Sequence, residues 1–228
     1  MPVETAHLAL MLDAPMQSWG FASRFQRRTT GLHPTKSGVI GLLCAAMGIG
    51  KGTEAERSIL PQLAAMNMTS LALQHDYTRV EDFHTVQGTR RASGKPNPDP
   101  VVTHRQYLLD ARFGVILSGD RALLERVATA VQNPLWGVWF GRKSCVPAEP
   151  IHRGLFATNA EAHRALIGDA SVDAFTTVAD VASFAEGTDS FNDQPVSFGE
   201  STSSGPDKRV FATRRVKIQP GLGASAKE

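Results

Sequence analysis

Residues 105–134 read RQYLLDARFGVILSGDRALLERVATAVQNP, and their pattern decides the fold class. From Arg105 to Leu117 every second residue is apolar, so that Tyr107, Leu109, Ala111, Phe113, Val115 and Leu117 share one face. This alternation predicts one long strand. The period then changes. Asp120 is a capping residue, and Leu123, Leu124, Val127, Ala128 and Val131 recur at helical spacing until Asn133-Pro134 ends the run. A strand leading into an amphipathic helix is half of a sheet-and-helix unit.

The other half lies upstream. Residues 7–13 (HLALMLD) form a mostly apolar run that predicts a buried strand. A polar loop, residues 14–20, follows. Thr35 or Ser37 then caps a helix running to about Met47. Val39, Ile40, Leu42, Leu43, Ala45 and Ala46 make it apolar all round, hence buried, and Gly48, Gly50 and Gly52 stop it. Residues 54–66 predict a second helix, interrupted at Pro61. Residues 69–75 and 79–84 predict two strands joined by a tight turn at Asp76-Tyr77-Thr78.

Residues 85–103 carry Gly88, Gly94, Pro96, Pro98 and Pro100 and no core pattern. A connection of that length is functional or disordered. Residues 136–140 predict a further short strand. Beyond Pro150 the signals weaken: residues 161–167 read as helix, 186–207 as acidic Gly/Ser-rich loop, 210–218 as strand, and 220–228 as a disordered tail. The order strand, helix, strands, insertion, strand, helix, strand predicts an α+β domain of the ferredoxin-like (RRM-like) kind. That architecture serves many functions, RNA binding among them.

Composition bounds the function. The chain has 228 residues, 42% hydrophobic and 20% charged, enough for a real core. The longest uncharged apolar stretch, residues 38–50, is too short to span a bilayer as a helix. The start, Met1-Pro2-Val3-Glu4-Thr5, has no basic residue before an apolar run and does not read as a signal peptide. Cys44 and Cys145 form no CxxC, which predicts a reducing, cytoplasmic setting without a zinc site.

Net charge is only +2, but it is segregated. Residues 14–53 hold Arg24, Arg27, Arg28, Lys36 and Lys51 and no acid. Residues 83–109 hold Arg90, Arg91, Lys95 and Arg105 against Asp99. Residues 208–217 hold Lys208, Arg209, Arg214, Arg215 and Lys217 and no acid, whereas residues 159–207 set nine acids against Arg164. Such a chain can present one face to a polyanion and keep an acidic one elsewhere.

Enzyme motifs are mostly rejected. Gly48-Ile49-Gly50-Lys51-Gly52 follows a helix and lacks the hydroxyl of a phosphate loop, so it reads as a helix cap. The seven histidines form no HxH or HExxH pair, and no GxSxG occurs. Metal-independent RNA cleavage needs a base, an acid and a cation. His33, His84, His104, Tyr107 and Lys36 are the candidates for those roles, and the same groups equally suit hydrogen bonding to RNA.

Five ordered blocks carry a resemblance. Residues 13–20 (DAPMQSWG), 34–43 (PTKSGVIGLL), 82–88 (DFHTVQG), 105–111 (RQYLLDA) and 140–145 (FGRKSC) resemble the CasD family of repeat-associated (RAMP) proteins, over roughly residues 7–150. The resemblance implies a non-catalytic subunit of the type I-E CRISPR surveillance complex (Cascade), holding the 5′ handle of the guide RNA and capping the backbone filament. It implies a ferredoxin-like body over residues 1–150 with an inserted thumb hairpin at 84–105, the body being completed by a less regular region, 151–219. Implied partners are the crRNA, the backbone subunit and the large subunit, with target DNA met only through the complex and no membrane. No metal or other cofactor is implied. A type I-C relative that cuts precursor RNA is the alternative.

The candidate RNA contacts are Gln17, Trp19, Arg24, Arg27, Lys36, Ser37, His84, Arg90, Arg91, Lys95, His104, Arg105, Arg142 and Lys143. A phosphate is expected at the helix start around Thr35, Lys36, Ser37 and Gly38, where free N–H groups point outward, or else that start is a plain cap. Trp19 reads either as a stacking surface or as core.

Overall fold

The computed structural model describes residues 4–20, 26–74, 76–91, 93–199 and 209–222. In chain order the first elements are β1 (Thr5–Asp13), β2 (Met16–Gln17), β3 (Arg27–Arg28), α1 (Lys36–Ala46) and α2 (Glu54–Ala65). Next come β4 (Asn67–Ala72), β5 (Thr78–Val86), β6 (Val101–Leu109), β7 (Arg112–Asp120) and α3 (Arg121–Gln132). The last are β8 (His152–Phe156), α4 (Asn159–Ile167), β9 (Thr176–Asp180), β10 (Asp189–Ser197) and β11 (Val210–Gln219).

β1 is apolar on both faces because both are covered. Leu8, Leu10 and Leu12 point into a core shared with α1, α2 and α3, while Ala9 and Met11 meet α4 on the other side. The strand lies inside a seven-stranded sheet of order β10-β11-β9-β4-β7-β1-β8. Every neighbouring pair in it is antiparallel. The chain is thus α+β. α1 starts at Thr35, whose hydroxyl accepts from the Gly38 N–H, and it is buried on most of its surface. α3 starts at Asp120, which caps Leu123, and buries the apolar stripe read from the sequence.

A second sheet is built on β6. β5 pairs with it antiparallel from Thr78↔Leu109 to Val86↔Val101. On its other edge lie β2, antiparallel, and β3, parallel. The insertion read as patternless is therefore a paired hairpin whose tip spans residues 87–100.

Several sequence expectations need correction. Residues 105–117 are not one strand: β6 and β7 belong to different sheets, and the chain breaks between them at Asp110, whose φ is +54°. β4 and β5 likewise part into different sheets instead of pairing; His75, between them, lies outside the described residues. α2 runs through Pro61 unbroken, the proline ring facing solvent. Residues 136–140 are not a strand. The Leu135 and Trp136 N–H groups donate to the Ala46 and Ala45 carbonyls at the end of α1, so this backbone pairs with a helix terminus.

The fourth strand of the central group is β8, and β10 lies within the stretch read as loop. Gly221 and Leu222 are not part of a free tail. Their N–H groups donate to the Thr176 hydroxyl and the Asp173 carbonyl. Residues 223–228 lie outside the described residues.

Candidate nucleic-acid interface

An RRM-like sheet offers its open face to a single strand. Here α4 covers the centre of that face, packing Ala162 and Leu166 onto Ala9, Met11, Leu71 and Ile116. The cationic surface lies on the small sheet instead.

Parallel pairing of β3 with β6 sets Arg28 beside Arg105. Thr103 and Val101 continue that face along β6, and Val86 joins them across the hairpin. The hairpin tip adds Thr89, Arg90 and Asn97, and the loop after α3 adds Arg142. With Gln26 these residues line a groove of about 630 Å³. Arg28, Arg90, Arg105 and Arg142 line it, and no acid does among the described residues. Arginine matches phosphate by paired N–H donation, so the groove favours a polyanionic occupant.

The edge of the groove is tied to the strands by several contacts. Arg142 Nη1 donates to the Gln106 carbonyl and Nη2 to the Arg28 carbonyl, each at 2.9 Å. Its guanidinium also sits 4.4 Å from the Tyr107 ring centroid. The loop comes this close through Gly141, whose φ is +97° and where any Cβ would stand 1.7 Å from the Ser18 carbonyl oxygen. Only glycine fits there. Arg105 Nε donates to the Thr103 hydroxyl at 3.1 Å.

Of the residues singled out from sequence, Arg90, Arg105 and Arg142 meet in the groove. Arg91 and Lys95 are exposed on the same tip, where the Arg91 N–H donates to the Lys95 carbonyl. His84 shares the groove face. Its Nε2 lies 3.5 Å from the Tyr107 hydroxyl and 3.1 Å from Asp82. His104 is on the reverse face, 3.2 Å from Glu81, and Arg27 pairs beside it there. Lys143 is exposed, with Nζ 5.7 Å from the Trp139 ring centroid. Arg24 lies outside the described residues.

Three of the residues are corrected. Gln17 is fully buried, its amide donating to the Leu12 and Ala111 carbonyls and accepting from the Trp19 indole. Trp19 is 1% exposed and stacks on Phe140 at 5.9 Å, so it is core. Lys36 is buried against Asp180 at 2.9 Å; burial lowers its pKa, with the Asp180 charge opposing that. The expected phosphate position at the start of α1 is also filled from within. The Lys36 N–H donates to Asp193 Oδ2 at 2.8 Å, a carboxylate held in turn by Arg214. Ser37 sits half-buried in that same first turn.

Sequence reasoning missed Arg28, Gln26, Thr89 and Asn97 as a set. Arg28 stood in a basic segment, but its register with Arg105 is a pairing between distant segments that no local pattern announces. Among the described residues, no three or more His, Cys, Asp or Glu side chains converge as metal ligands. No described helix is long and apolar enough to cross a membrane.

The family described as CRISPR-associated protein (Cas_Cas5) matches residues 7–217. The chain is 32% identical over 158 residues to "CRISPR system Cascade subunit CasD" of Escherichia coli (strain K12), a span of 65% of this chain and 70% of that one. A solved structure described as "CRISPR RNA-guided surveillance complex" superposes with a TM-score of 0.70 at 28% identity, over 94% of this chain and 90% of the other. Another, "Crystal structure of Cas protein", gives 0.64 at 30%, over 96% and 100%. The chain is a CRISPR-associated protein. It belongs to the Cas5 family.

Proposed function

We propose that this chain is the non-catalytic RNA-binding subunit of a type I-E CRISPR surveillance complex, holding the 5′ handle of the crRNA and capping the backbone filament. The observation that carries the reading is the groove of four arginines, with no acid among its described lining residues, beside the tip of the β5–β6 hairpin. Its likeness to a protein named as a Cascade subunit supports the complex as its setting. The order β4-β7-β1-β8 with α1, α2 and α3 between strands supports a ferredoxin-like body, and the hairpin fits the role of a thumb laid across the RNA. Arg28, Arg90, Arg105 and Arg142 hold phosphates, with Arg91 and Lys95 on the tip and Lys143 on the flanking loop adding charge. Backbone and large subunits are the protein partners, and target DNA is met only through the complex. Free, buried Cys44 and Cys145 suit the cytoplasm.

A second reading, a metal-independent ribonuclease, draws on the His84–Tyr107 pair beside Arg142. Incubating labelled repeat RNA with the protein in EDTA separates the two. A shifted, intact RNA is expected; a discrete cut product overturns the non-catalytic reading. Arg90→Ala with Arg105→Ala should weaken binding and flatten the dependence of log K on log salt by about 0.7 for each phosphate no longer neutralised. An unchanged affinity and slope would remove the groove from the reading.

A further inference from the structure

Residues 133–146 contain no acid, yet they expose Leu135, Trp136, Trp139 and Val146, the two tryptophans at 47% and 36%. The segment is held in place by its N–H donation to the end of α1. The Trp136 ring rests beside Gly50, in a stretch, residues 45–53, that also lacks acids and carries Lys51. Trp139 lies over Gly137, where a Cβ would sit 2.7 Å from the indole, and Lys143 stands against the Trp139 ring. Lys143 directly follows Arg142 of the groove, so the aromatic patch and the groove are continuous along the chain.

Exposed tryptophans alone suit a protein partner as well as a nucleic acid. The charge decides. The patch interleaves cations with aromatic rings and has no carboxylate in either contributing stretch, which is the combination that takes single-stranded nucleic acid: rings for bases, cations for phosphates. We propose that residues 135–143 form a base-stacking platform continuing the arginine groove, with Trp139 and Trp136 receiving unpaired bases of the bound RNA and Arg142 and Lys143 following its backbone. The platform rests on the RNA-binding reading above and adds to it a site for bases.

The test compares a single-stranded oligoribonucleotide, about 12 nucleotides long, with an abasic chain of the same length. Trp139→Ala, Trp136→Ala and Trp139→Phe are made in the full chain, with melting temperature as the check of folding. The oligoribonucleotide should quench tryptophan fluorescence of the wild type. Trp139→Ala should lose most of that quenching and bind the oligoribonucleotide roughly tenfold more weakly. It should bind the abasic chain as the wild type does, and Trp139→Phe should restore affinity. The groove variant Arg90→Ala with Arg105→Ala should weaken both ligands. Both alanine variants binding both ligands like the wild type would overturn the platform and leave the groove standing. A wild type that binds neither ligand overturns platform and groove together.

Discussion

His33 shows how one side chain ties the fold to pH. Its Nδ1 is buried without a hydrogen-bond partner among the described residues, and burial pushes its pKa down to about 4. Unfolded, the ring titrates near 6.5, so between these values the unfolded chain binds a proton that the folded chain refuses. Stability therefore falls as pH drops from 6.5 toward 4, by about 3 kcal/mol at the rate of about 1.36 kcal/mol per unit. His7 and His152 are shifted down as well, chiefly by burial, and add in the same sense. Urea unfolding against pH should show a shallower acid loss for His33→Gln than for the wild type; parallel curves would assign the loss to other groups. At this scale the sequence was a partial guide to the site. Arg90 was legible as a groove residue because it sits on an insertion with little core to serve, and Arg142 because it follows a glycine. Gln17, Trp19 and Lys36 misled because their partners, Ala111, Phe140 and Asp180, lie far along the chain.

Among the elements, the β5–β6 hairpin has the clearest division of labour. From Val86 back to Thr78 it is paired at every residue, while most of the tip, residues 87–100, is exposed. Replacing residues 87–100 with an Asn-Gly turn between the paired Val86 and Val101 should shift stability by less than about 0.5 kcal/mol. It should nonetheless weaken RNA binding, because Arg90, Arg91 and Lys95 leave together. Thermal melting and RNA titration of the same variant check both halves; a large loss of stability would mean the tip supports the body. Helices α1 and α3 were legible because periodicity and caps agreed. The β6–β7 boundary was not, since Leu109-Asp110-Ala111 contains neither Gly nor Pro and the alternation runs straight through it. β10 escaped notice because its burial is interrupted by bulges and by Pro195.

Across the whole molecule, strands from beyond residue 150 lie on both sides of β4, β7 and β1, with β8 next to β1 and β9 next to β4. A buried network fastens the second flank. Arg214 on β11 grips Asp193 through Nε and Nη2 and Asp180 through Nη1, and Asp180 also meets Lys36 and the Met68 N–H. Two cations and two carboxylates sum to zero charge. Removing one partner strands the rest in low dielectric, so Arg214→Met should cost about 3–5 kcal/mol. That is a large share of a stability of about 5–15 kcal/mol. Urea denaturation measures it, and a change below about 1 kcal/mol would show the network to be well hydrated. None of this was visible in the sequence, where the acids of residues 159–207 read as an acidic face kept apart from the basic segments.

The same network imposes an order in time. A ribosome delivers its charges as Lys36, Asp180, Asp193 and then Arg214, from one end of the chain to the other. While the chain is being made, the start of α1 has no carboxylate to cap it until residue 193 has emerged. Once both aspartates are out, they face a single ammonium until Arg214 follows. A nascent chain can collapse its apolar strands early, but it cannot bury this corner before β11 arrives. Closure of the large sheet thus waits until residue 214 has emerged, and until then the edge of β9 that β11 will cover is the surface a chaperone would meet.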